Sequence, residues 1–198
     1  MKEKEDGFII VLFSTFIKVL YHINLIVLFK FVAKKVFKKK RMAQNNVIDI
    51  FNILKFTFLI IIIHYRMNST LIVIAVTYLA FMNIFTYFYY HFWRISTVRN
   101  LIHSRRRFVA LTISFFYNIL FFSYIYLIKG IDLFESFTPN FLNSFQISIA
   151  NAFASSPISE PNSLFAHYLV TIQIVTTFIY VTLLLSQIIP DSSEKEII

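Results

Sequence analysis

Apolar residues fall along this chain in long blocks. They do not follow the alternate positions of a half-exposed strand or the one-sided stripe of a soluble helix, and several blocks are long enough to cross about 30 Å of hydrocarbon. Val47 to Tyr65 carries Asp49, Asn52 and Lys55 toward one end; Leu71 to Trp93 carries no formal charge; Phe108 to Ile128 and Leu164 to Ile189 are uncharged throughout. An earlier stretch, Phe8 to Phe29, is interrupted by Lys18, His22 and Asn24. Ser14, Lys18 and His22 share one helical face, so this stretch either spans or lies in the interface with Lys18 snorkelling. No secretory signal is expected, because Lys18 breaks the apolar region and no small-residue cleavage pattern precedes the lysines that follow. The pattern predicts an all-α integral membrane protein with four or five transmembrane helices.

The polar segments set the topology. Lys34, Lys35, Lys38, Lys39, Lys40 and Arg41 form one basic run, and Arg94, Arg99, Arg105, Arg106 and Arg107 form a second, with Val98, Leu101 and Ile102 between them. Basic runs beside membrane helices mark the cytoplasmic side and attract anionic lipid. With both inside, the links at 66–70 and 129–163 fall outside and the C-terminus is cytoplasmic, which predicts a multi-pass protein of a cell membrane. The chain divides into an N-terminal membrane or interfacial helix with a basic linker (1–46), an antiparallel helix pair with a second basic, amphipathic linker (47–107), a third region (108–190) and a cytoplasmic tail (191–198). Asn68-Ser69-Thr70 matches a glycosylation sequon, but it lies too close to two helix ends for a glycosyltransferase to reach and is read as chance.

Composition agrees. Of 198 residues, 58% are hydrophobic and 15% charged, with mean hydropathy +0.69, too little polar surface for a soluble domain of this size. Cysteine is absent, which removes disulfides, thiolate metal sites and cysteine nucleophiles. His22, His64, His91, His103 and His167 include no pair at the spacing of a helical zinc site, so no metal is expected. The two glycines, Gly7 and Gly130, cannot build a phosphate-binding loop, and no nucleotide cofactor is expected. The net charge of +9 sits in the runs beside apolar blocks, where lipid and insertion topology account for it without nucleic acid. No spanning block pairs an acid, a base or a metal ligand with a partner at a useful spacing, so no catalytic residue is nominated.

The outer link from Lys129 to Ser163 is long and unusually apolar for a connection. Thr138-Pro139 reads as an N-cap followed by proline at the first helical position, opening a helix over 139–153. Such a helix is roughly 20 Å long, enough to enter a membrane and too short to cross it. The turn-rich residues 154–163 would climb back out, making a re-entrant hairpin. The C-terminal carbonyls of the half-helix, near Ala152 and Phe153, would then point toward the bilayer midplane and favour a cation. The same residues also suit an interfacial helix resting on the outer surface: Phe141, Leu142, Phe145, Ile149, Ala152 and Phe153 share one face, with Asn143, Ser144 and Asn151 opposite. Periodicity alone does not choose between these.

The order outer helix, Phe-rich half-helix, polar return and long inner helix resembles the pore module of the potassium-channel superfamily over residues 108–189. Ser144-Phe-Gln-Ile-Ser-Ile-Ala-Asn-Ala-Phe-Ala-Ser-Ser-Pro-Ile-Ser-Glu-Pro161 is similar to that family's pore helix and filter exit, and Leu169-Val-Thr-Ile-Gln-Ile-Val175 to the start of its inner helix. The resemblance implies a homotetramer around a pore for monovalent cations, with a filter at Ala154, Ser155, Ser156, Pro157 and Ile158. The family's Thr-Val-Gly-Tyr-Gly is replaced there by residues without glycine, apparently one residue shorter, so a standard potassium filter cannot form. Ser155 and Ser156 hydroxyls would line the mouth, with Glu160 as an outer acidic ring. Weak selectivity, altered selectivity and loss of conduction are all compatible with such a filter. In the last helix Gln173, Thr177, Tyr180, Leu184 and Gln187 fall in one stripe, as expected of a face that lines water or meets another copy. No span carries the repeated arginines of a voltage sensor.

Two function classes therefore stand: a homotetrameric, channel-like protein that passes monovalent cations or descends from one that did, and a non-conducting membrane bundle serving as an accessory, immunity or effector protein. In the second, Gln, Thr and Tyr of the last helix bond neighbouring helices within the bundle.

Overall fold

The structure is a computed structural model and describes residues 8–36, 40–89, 101–155 and 159–188. Those residues form seven helices and no strand: α1 (Phe8–Ile23), α2 (Leu25–Val36), α3 (Lys40–His64), α4 (Thr70–Phe88), α5 (Leu101–Leu133), α6 (Phe141–Ala152) and α7 (Leu164–Ile188). Four segments are long and apolar enough to cross a membrane: Asn46–His64, Thr70–Phe88, Phe108–Leu133 and Leu164–Ser186. They correspond to four of the apolar blocks of the sequence, and the all-helical architecture is compatible with a multi-pass membrane protein. Residues 94–100 of the second basic linker and the tail 191–198 lie outside the described residues. From Leu101 onward the basic stretch is already part of α5.

By contacts the chain separates into two compact units, 1–57 and 58–198. In the first, α1 and α2 meet at Asn24 with a bend of 59°. Asn24 both makes the break and caps α2: its Oδ1 accepts the Ile26 N–H at 3.0 Å and its carbonyl accepts the Val27 N–H at 2.9 Å, which satisfies donors that a helix start leaves open. Together the two helices are apolar enough for one broken span, so the count stays at four, or five with this pair. Phe29 packs against Phe51 of α3, 5.7 Å between ring centroids. Lys55 is buried, and its Nζ donates to Asn52 Oδ1 at 3.2 Å.

The second unit is organised around α5. Of its apolar window 61% is buried, against 22% for α7, and α4, α6 and α7 all pack on it. Helix α3 ends at His64 in a Schellman closure: Met67 N–H reaches the Ile62 carbonyl at 3.1 Å and Arg66 N–H the Ile63 carbonyl at 3.2 Å. Arg66 takes the left-handed conformation this requires, φ 48°. Tyr124 Oη donates to the Met67 carbonyl at 2.8 Å and ties the α3–α4 link to α5. At the far end of α5, Gly130 leaves room for the Phe137 ring, which lies where a Cβ would stand. The chain after α5 therefore folds back on that helix.

Candidate functional site

Helix α6 begins two residues later than Thr138-Pro139 suggests. Asn140 is the N-cap, its Oδ1 accepting the Asn143 N–H at 2.7 Å. The Thr138 carbonyl is used instead by the Asn140 N–H and by Asn143 Nδ2. The Asn140 side chain accepts a backbone N–H of the first turn, as an N-cap does, and so fixes the helix start at Phe141.

The faces of α6 are distributed unlike those of a helix lying between water and a surface. Ser144, Ser148 and Asn151 are buried, while Phe141, Leu142 and Phe153 are exposed. Ser148 Oγ donates to the Ile119 carbonyl in the middle of α5 at 2.8 Å. Ala152 joins a core cluster with Leu111, Phe115, Ile119, Tyr180 and Leu183, and Phe153 meets Phe115 at 6.2 Å. The chain then comes back to the other end of α5. Phe134 bridges Pro161, Glu135 N–H donates to the Glu160 carbonyl at 3.0 Å, and Asn162 N–H to the Leu133 carbonyl at 2.9 Å. From Leu133 to Phe115 α5 rises about 27 Å, so the contacts of α6 and of residues 160–162 span a little over half of that helix.

The C-terminus of α6 is closed. Ser155 N–H donates to the Ala150 carbonyl at 2.9 Å, Ala154 N–H to the Asn151 carbonyl at 3.2 Å, and Ser155 Oγ to the Ala150 carbonyl at 3.0 Å. This is again a Schellman closure, with Ala154 left-handed at φ 49°. The carbonyls taken up by this closure are those of Ala150 and Asn151, just before the Ala152 and Phe153 carbonyls expected to favour a cation. Of the five filter positions, Ala154 and Ser155 sit in this cap and are exposed, and Ser156, Pro157 and Ile158 lie outside the described residues. Glu160 is exposed.

The stripe of α7 faces the bundle. Gln173 is fully buried: Tyr126 Oη donates to its Oε1 at 2.7 Å, and its Nε2 donates to the Ser148 carbonyl at 2.7 Å and to Ser148 Oγ at 2.9 Å. Asn151 Nδ2 donates to Tyr126 Oη at 3.4 Å. Tyr180 is buried against Phe115 and accepts from Asn83 Nδ2 at 2.7 Å. Ser114 Oγ bridges Asn83 Oδ1 at 3.2 Å and Tyr87 Oη at 2.9 Å. Thr177 is buried between these two levels, Leu184 packs against the core cluster, and the side chain of Gln187 lies outside the described ones. The face of α7 left exposed is Thr171, Val175, Phe178, Thr182 and Leu185.

The sequence reading missed Asn83, Ser114, Asn118, Tyr126 and Ser148, which hold α4, α5, α6 and α7 together. One signal was available: polar side chains inside apolar spans seek partners in the bundle, and Ser114 and Asn118 stand one helical turn apart on α5. The chain matches no protein-family model, no curated protein and no solved structure. Its class rests on its own residues: an all-helical chain with four segments long and apolar enough to span a membrane and, in the second unit, a short helix packed on the last two.

Proposed function

We propose that residues 108–188 are a pore-loop module and that the protein is a channel-like, oligomeric protein of a cell membrane, acting on monovalent cations through a mouth without glycine. One observation carries this reading: α6 turns Ser144, Ser148 and Asn151 into the protein and Phe141, Leu142 and Ile149 outward, with Ser148 bonded to the middle of α5. A helix resting at an aqueous surface would do the reverse, whereas a half-helix surrounded by hydrocarbon must satisfy its polar groups internally. The basic runs orient the hairpin to enter from the outer side and leave the C-terminus cytoplasmic. They also offer contacts to anionic lipid. An axis of four copies would be lined by the exposed face of α7, Thr171, Val175, Phe178, Thr182 and Leu185.

A second reading, a non-conducting bundle with an accessory, immunity or effector role, is favoured by the inward stripe and the closed α6 cap, which leave fewer polar groups for an ion. The test uses the absence of cysteine. Single cysteines at Ser155, Phe178, Thr182 and Gln173 are labelled with a membrane-impermeant thiol reagent and cross-linked, and the purified protein is reconstituted for potassium and sodium flux. The channel-like reading expects labelling at Ser155, cross-links between copies at Phe178 or Thr182 with Gln173 protected, and flux above that of protein-free vesicles. Absence of cross-links together with absence of flux overturns it and leaves the bundle.

A further inference from the structure

The buried polar groups of the second unit form two clusters at different heights. At one level are Tyr87, Asn83, Ser114 and Tyr180; at the other are Tyr126, Gln173, Ser148 and Asn151. Measured along α5, the bonds run from the Ala110 carbonyl, which accepts Tyr87 Oη at 2.9 Å, to Tyr126, about 24 Å of helix rise. Between the levels stand Asn118 on α5 and Thr176 and Thr177 on α7, with Asn118 Nδ2 donating to Thr176 Oγ1 at 3.3 Å.

Two oxygens in this middle stretch have no hydrogen-bond partner among the described residues, Asn118 Oδ1 and Thr177 Oγ1, although their residues are 2% and 3% exposed. The Asn118 amide gains no donor from Thr176 by turning over. Turning the Asn118 amide over would point its oxygen at Thr176, whose single hydroxyl proton is already given to the Gln173 carbonyl at 2.9 Å. That same carbonyl, four residues before Thr177, is the usual refuge of a helical threonine hydroxyl. Hydrocarbon offers nothing else. The two residues also share a place: Asn118 touches Thr176, the chain neighbour of Thr177, and Thr177 lies on α7 between Gln173 and Tyr180, the members of the two clusters.

We propose that the α5–α7 seam is a binding site for internal water at Asn118 and Thr177, which donates to both oxygens and joins the two clusters into one polar column through the protomer. Water suits these two oxygens by its capacity to donate twice and accept twice. The site lies within one protomer and does not depend on whether copies assemble around an axis.

The experiment is water-to-protein cross-relaxation by NMR on the full chain in nanodiscs of deuterated lipid. Cross-peaks from water are expected at the Thr177 methyl and the Asn118 side-chain amide, and not at the buried apolar Val76. In Thr177→Val the Asn118 peak should be lost, and in Asn118→Leu the Thr177 peak. The wild-type protein alone can overturn the proposal: no water cross-peak at either residue means a dry seam. Shifts of both residues on exchanging choline for sodium or potassium, without water cross-peaks, mean a cation site instead. Peaks that survive both substitutions unchanged place the water elsewhere and also overturn it.

Discussion

Replacing Gln173 with leucine removes one buried amide while nearly preserving its volume, so the change in stability reports its hydrogen bonds. The side chain takes part in three, with Tyr126 Oη, the Ser148 carbonyl and Ser148 Oγ. Hydrogen bonds between membrane helices average about 0.6 kcal/mol and reach about 1.7 kcal/mol, so three well-formed bonds at full burial give about 2 kcal/mol, or roughly thirtyfold in the unfolding equilibrium. Tyr126→Phe in the same background isolates one bond, with an expected coupling of about 1 kcal/mol. The assay is reversible unfolding in mixed micelles, followed by circular dichroism, on the wild type, both single variants and the double variant. A loss below about 0.5 kcal/mol for Gln173→Leu with no coupling to Tyr126 would show that the amide does not face α5 and α6. A Gln173 cysteine that labels through water would show the same, and the stripe of α7 would then face an aqueous axis or another copy.

Local geometry sets three further expectations. Ala154→Gly and Arg66→Gly should each stabilise the fold by about 1 kcal/mol, since both residues hold a left-handed conformation that is costly for a side chain with a Cβ; unchanged or lower unfolding midpoints would mean that the closures of α6 and α3 are not formed as described. Asn140→Ala should cost about 1 kcal/mol by leaving the Asn143 N–H without its cap, and Asn140→Asp should retain most of it; equal stability of both variants with the wild type would move the helix start back toward Thr138. A double-mutant cycle of Asn83→Leu and Tyr180→Phe should show about 1 kcal/mol of coupling in the same micelle assay, and zero coupling would separate α4 from α7.

How far the fold was legible depends on which forces act locally. The four uninterrupted apolar blocks could be read because hydrocarbon thickness sets a length that composition either meets or misses. The break in the first stretch was visible as Lys18, His22 and Asn24, but its place at Asn24 depends on one side chain capping α2. The short sixth helix was legible in kind and misplaced by two residues at its start, because the side chain that takes a first-turn N–H is that of Asn140 and not that of Thr138. Among the described residues Arg66, Ser136 and Ala154 hold the left-handed conformation, and only the folded chain assigns these positions.

The sequence by itself determined how many segments are long and apolar enough to span a membrane, and that no cysteine is available for thiol chemistry, because these depend on composition and on length measured along one helix. It also determined that Gln173, Thr177 and Tyr180 share one face of α7, since that is periodicity. Tertiary structure alone decided which way that face looks. Rotation of a uniformly apolar helix about its axis is not encoded in its own hydrophobic pattern when lipid and protein interior are equally apolar. It is set by partners in other helices, Ser148 and Tyr126 for Gln173 and Asn83 for Tyr180, and those pairings exist only once α4, α5, α6 and α7 are packed together.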